Sequence, residues 1–207
     1  MNTPARSALA ALALGLAACA TPLPVHYHTL LAPPPAAATA EPAVPFLIDV
    51  LPVGVPARLD QAQLVVRQAD SGIVVLDGER WAGPFGDELR NALSAELGHR
   101  LGTQDIAGLP RPSGKSVLRI KVQLRRLDAW PGQKVQLAAD WSLGFANEAA
   151  DVRLLCSGKY EELAPGSYAE LVQAQQRAIA AMAASVAADA RDFAKSRSAR
   201  CALPSAG

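Results

Sequence analysis

The chain has 207 residues, half of them apolar and 19% charged, with 20 basic residues against 19 acidic ones. That length supports one domain with a substantial core. The near-balance of charge excludes a nucleic-acid binder and a strongly basic membrane-surface protein.

Arg6 precedes a short apolar run that ends in Leu16-Ala17-Ala18-Cys19. The run is shorter than the ~20 apolar residues a spanning helix needs, so it reads as an export signal. Small residues at 17 and 18 let an extended chain enter a peptidase cleft, and Cys19 supplies the thiol that takes a lipid. Residues 1–18 are therefore a lipoprotein signal, and the mature chain starts at Cys19. A plain secretory cleavage near Ala18 is the alternative. One acyl chain anchors marginally at about 0.8 kcal/mol per buried CH₂, whereas several palmitate-class chains anchor almost permanently. This covalent lipid is the only cofactor expected. Ala20, where Asp would favour the inner membrane, points to the periplasmic face of the outer membrane. Arg6 leaves with the signal, so the mature basic count falls from 20 to 19 and equals the acidic one.

Residues 19–45 read as a lipid-anchored tether, rich in proline and alanine. The cluster Val25-His26-Tyr27-His28-Thr29-Leu30 interrupts it. A spacer has no need of Tyr27 and Leu30, so the cluster is expected to dock on the body or on a partner. The body spans 46–195, and a tail follows over 196–207.

Phe46 to Val53 is rich in branched residues and predicts a strand. Gln63 to Gln68 and Ile73 to Leu76 predict a hairpin around Ala69-Asp70-Ser71-Gly72. Pro84 opens a helix, with Asp87 and Glu88 in its first turn and Phe85, Leu89, Leu93 and Leu97 on one face. Gly102 ends it. Three strands follow, alternating through Leu118–Leu124, Val135–Phe145 and Val152–Tyr160, with turns at Pro131-Gly132 and at 147–150. A last helix runs from Tyr168 to about Ala194, opened by the capping box Ser167-x-x-Glu170. The order β-β-β-α-β-β-β-α predicts an α+β two-layer sandwich, a mostly antiparallel sheet covered by two helices.

Cys156 and Cys201 remain after lipidation, in an oxidising compartment, and an even remainder permits one disulfide. Alternation with Val152 and Leu154 turns Cys156 inward. A buried free thiol plus a tail thiol is the other reading.

Catalytic and metal motifs fail on spacing. Gly114-Lys115-Ser116 resembles the end of a phosphate loop, but position 109 is Leu, two prolines stiffen the loop, and a strand follows instead of a helix. His26 and His28 lack a third ligand nearby. No Gly-x-Ser-x-Gly elbow occurs, and Ser167 is explained as a helix cap. The expectation is a protein without enzymatic activity and without a metal.

Three segments carry a resemblance. They are Arg58-Leu59-Asp60-x-x-Gln63-Leu64-Val65-x-Arg67, Glu79-Arg80-Trp81-Ala82-x-Pro84, and Pro131-Gly132-Gln133-x-Val135 leading to Asp140-Trp141. Together with Cys19 and Tyr27-x-x-Leu30 they resemble the PqiC-type auxiliary lipoproteins of ABC-type transport systems. That resemblance implies a membrane-integrity-associated subunit that partners an MCE-domain protein, and family members self-associate. It implies an outer-membrane docking and anchoring adaptor for intermembrane lipid transport. A lipid-binding periplasmic carrier is the alternative. Tyr27, Leu30, Arg58, Asp60, Glu79, Arg80 and Trp81 become the candidate partner contacts. For the residues themselves plainer roles stay open: Arg58 with Asp60 as an ion pair or as solvated charges, and Trp81 as a packing anchor at a strand–helix junction. Arg119, Lys121 and Arg125 line a strand face that either meets a partner or keeps an open sheet soluble.

Overall fold

The computed structural model describes residues 24–33, 42–69, 71–149, 152–197 and 200–201. The signal segment, Cys19, Asp70, the turn residue Ala150 and most of the tail lie outside the described residues. Among the described residues nine elements occur, in the order β1 (His26–His28), β2 (Leu47–Val50), β3 (Gln63–Gln68), β4 (Gly72–Trp81), α1 (Phe85–Leu101), β5 (Val117–Trp130), β6 (Lys134–Phe145), β7 (Leu154–Leu163) and α2 (Tyr168–Lys195). The fold is α+β, and from β2 onward the order is β-β-β-α-β-β-β-α, as the periodicity predicts.

Two features go beyond that reading. The strands divide between two sheets, β1-β4-β3 and β2-β5-β6-β7. Pairing is antiparallel for β3–β4, β5–β6 and β6–β7, and parallel for β1–β4 and β2–β5. Alternation within a strand says which face is buried; it does not say which edge pairs with which. The second feature is β1 itself, drawn from the segment expected to be a tether. The cluster around Tyr27 and Leu30 docks on the body, one of the two destinations expected for it: β1 pairs with β4 and Leu30 is buried.

The four-stranded sheet buries one face. Leu118, Ile120, Val122 and Leu124 of β5 point inward with Val135, Leu137, Ala139, Trp141 and Leu143 of β6. Helix α2 packs across β6 and β7, and α1 packs against α2. Ala174, Ala178, Ala183, Ala187 and Ala190 lie on the buried face of α2. Their short side chains let the helix approach the strands closely. Phe145 joins the layers, edge-on to Phe46 at 5.6 Å and stacked on Phe193 at 6.2 Å.

Both helix starts follow from local chemistry. The Ser167 amide donates to Glu170 Oε2 (2.7 Å) and the Glu170 amide to Ser167 Oγ (3.4 Å), a closed capping box. In α1, Pro84 takes the cap position one residue before the helix, with Asp87 and Glu88 in the first turn. Gly102 ends α1 with φ of 60°, and a Cβ there would sit 2.9 Å from Ala43 Cα, so both conformation and space demand glycine. Among the described residues, no helix is long and apolar enough to cross a membrane.

Candidate docking surfaces

β1 is held to the body by side chains from three elements. His26 Nδ1 lies 3.0 Å from Glu79 Oε1, and His28 Nε2 bonds the other oxygen of the same carboxylate. Burial by itself pushes the Glu79 carboxyl up, but the two imidazoles more than offset this and hold it below its ordinary value. Thr29 Oγ1 and the Leu30 amide both donate to Glu88 Oε2, at 2.7 and 2.9 Å, and Gln176 Nε2 donates to the Thr29 carbonyl at 3.0 Å. Leu30 is 1% exposed and sits in the core, whereas Tyr27 is 68% exposed. The histidines thus have a carboxylate partner and serve as a clasp.

The remaining predicted contacts separate into packing and surface residues. Trp81 ends β4, buried, with its ring 5.5 Å from Phe85. Arg80 donates from Nε to the Asp77 carbonyl (3.2 Å). Arg58 does not pair with Asp60; its Nη2 faces Asp128 at 4.0 Å, and Asp60 is exposed. Cys156 and Cys201 form a disulfide, which pins the chain after α2 to β7. Asp189 lies close to both sulfurs and accepts from Trp141 Nε1 at 2.8 Å. The two sulfurs are bonded to each other, so this trio is a covalent staple and not a ligand set.

The sequence reading missed Asp128. It is 3% exposed and accepts from Arg67 Nε at 2.7 Å and from Arg126 Nε, with Arg58 nearby. Burial pushes its carboxyl up, yet the Arg67 and Arg126 guanidiniums outweigh that and hold it below the ordinary 3.8. A depressed folded-state value means Asp128 contributes stability above the unfolded value and loses it as pH falls through the folded one. Asp128→Asn is therefore expected to be less stable at neutral pH and to show a flatter stability profile below about pH 4. Urea midpoints from neutral pH down to about pH 2 check this. Parallel profiles for the two proteins would contradict it.

The outward face of the four-stranded sheet is open. Both helices lie on the other side, and an exposed groove of about 570 Å³ runs along Lys121, Gln123, Arg125, Asp140, Ser142 and Ser157. Leu155 borders it at 73% exposure. Arg125 Nε pairs with Asp140 at 2.6 Å and Lys134 Nζ with Glu161 at 3.1 Å. Among the described residues Lys121 and Lys159 have no ion partner, so the face carries surplus positive charge. Arg119 lies on this face as expected and pairs with Asp49, its register partner on β2, at 3.5 Å. Such a surface can recognise a partner by charge and shape.

Residues 28–187 match the family described as ABC-type transport auxiliary lipoprotein component. The chain belongs to that family. The match begins at His28, inside β1, and ends within α2, so it takes in both sheets. The auxiliary-lipoprotein fold is also seen in crystal structures. One, of an uncharacterized protein, is 22% identical with a TM-score of 0.62, covering 80% of this chain and 97% of that one. Another, from Xanthomonas campestris, is 16% identical with a TM-score of 0.51, covering 72% and 85%. At those identities the likeness concerns fold alone. No curated protein matches the chain. The auxiliary-lipoprotein family is one of membrane-anchored periplasmic components associated with a transporter system, and this gives the open sheet face its context.

Proposed function

We propose that this auxiliary lipoprotein is a docking and anchoring adaptor of an MCE-type intermembrane lipid transport system, held at the periplasmic face of the outer membrane by lipid on Cys19. It works by position and carries out no chemistry of its own. The observation that carries the reading is the uncovered face of β5, β6 and β7, grooved and charged, in a chain whose opposite face is buried under α2, with α1 packed on α2. A lipid carrier would need an apolar space of hundreds of cubic ångströms between its layers. Here the alanines of α2 close that space, which favours the adaptor over the carrier.

Affinity capture from native membranes tests it. Wild type is expected to sediment with the outer membrane and to retain an MCE-domain protein. Cys19→Ala is expected to leave the membrane fraction. Lys121→Glu with Lys159→Glu is expected to stay anchored and folded but to lose the partner. Consistent absence of any MCE-domain protein from the wild-type capture would overturn the reading.

A further inference from the structure

β1 limits how far the body can stand from its anchor. Val25 immediately precedes β1 and lies six residues after Cys19. A fully extended chain advances at most ~3.6 Å per residue, so an acylated Cys19 holds Val25 within about 20 Å of the lipid. The long reach expected of a tether over 19–45 is therefore lost at its first third. The direction of approach is also set. β1 runs parallel to β4, with His26 beside Glu79, so the chain enters β1 from the end at which β4 begins. That end of β4 carries Ile73 and Val75.

The registers place these residues on one face. Val65 lies opposite Val75 and Arg67 opposite Ile73; Gln63, on the same side of β3, lies opposite Arg80. Arg80 is in turn the partner of Tyr27. The outward face of the three-stranded sheet thus presents Val25, Tyr27, Ile73 and Val75, each at least 41% exposed. Its other face buries Leu64, Val66 and Trp81. Of the charges on the outward face, Asp77 is exposed there with Arg80, and Arg67 is drawn to the buried Asp128, which it shares with Arg126. An acidic protein partner would call for surplus positive charge; this face offers apolar side chains and a tyrosine, whose ring suits the headgroup level of a bilayer.

We propose that this face of the β1-β4-β3 sheet rests on the bilayer that holds the Cys19 acyl chains, with Tyr27, Ile73 and Val75 at headgroup level. The proposal rests on acylation of Cys19 and adds an orientation to it: the body lies against the membrane.

The test uses the full chain, expressed with its signal and reconstituted in phosphatidylethanolamine–phosphatidylglycerol vesicles. Intact mass first establishes the acyl groups. A photo-crosslinking residue is placed at position 27, 73 or 157 in separate preparations; all three sites are exposed, so the fold is retained. Phospholipid adducts at 27 and 73 and none at 157 are expected. Acylated protein with no lipid adduct at 27 and 73, or with equal adduct at 157, overturns the orientation while leaving the anchor intact. Adducts at 73 to a protein in native membranes, without lipid adducts in vesicles, assign the face to a protein partner and also overturn it. A chain of unacylated mass refutes the anchor itself, and the orientation with it.

Discussion

Trp81→Ala is expected to cost about 3–5 kcal/mol of folding stability, the usual range for removing a large aromatic from a packed core. The ring is 5% exposed and lies against Phe85, the first residue of α1. Its backbone amide donates to the Ala62 carbonyl at 2.8 Å, which fixes the end of β4 over the loop that leads into β3. Loss of the ring opens a void where the small sheet, α1 and the β1 clasp converge. Trp81→Phe refills much of that volume and is expected to recover more than half the loss. Urea unfolding of the three proteins checks the series. If the ring were a partner contact, alanine would leave stability within about 0.5 kcal/mol, as exposed substitutions do, and would lower partner capture instead.

The second large effect belongs to the disulfide. Cys156 and Cys201 close a separation of 45 residues that contains most of β7 and all of α2. Constraining a loop of that length in the unfolded chain is worth about 2–4 kcal/mol. Cys201→Ser is expected to lose that amount and to become indifferent to reductant, while wild type loses it only on reduction. Equal urea midpoints for oxidised and reduced wild type would contradict the assignment. The bridge also shapes the open face, since Cys201 lines the groove beside Leu155 and Ser157. Its removal is expected to weaken partner capture even under conditions where the body remains folded.

What could be read from the residues was local and periodic. The alternation of Leu118, Ile120, Val122 and Leu124 marks a strand with one buried face, and Ser167 with Glu170 marks the start of α2; both stand in the structure. The cluster around Tyr27 and Leu30 was legible as a docking segment because a spacer has no use for those side chains. Its destination was not. Glu79 meets His28 across 51 residues of sequence, and nothing in either neighbourhood announces the other. Asp128 escaped for a different reason. The β5–β6 register shifts between Leu124 and Arg126, so the alternation that runs through Leu124 breaks there, and Leu127, Asp128 and Ala129 are all buried. A bulge of this kind re-aims side chains at the point where a periodic reading stops. The division into two sheets was hidden in the same way, because edge pairing is settled by tertiary packing.

The adaptor account turns on the open face of the large sheet, and one measurement addresses it most directly. A photo-crosslinking residue at position 157, on the exposed side of β7, would be activated in cells that make the full transport system, with position 96 on α1 as the reference. The account predicts a covalent adduct to an MCE-domain subunit from 157 and none from 96. Adduct to that subunit from 96 alone, or no protein adduct from 157, would contradict docking through this face.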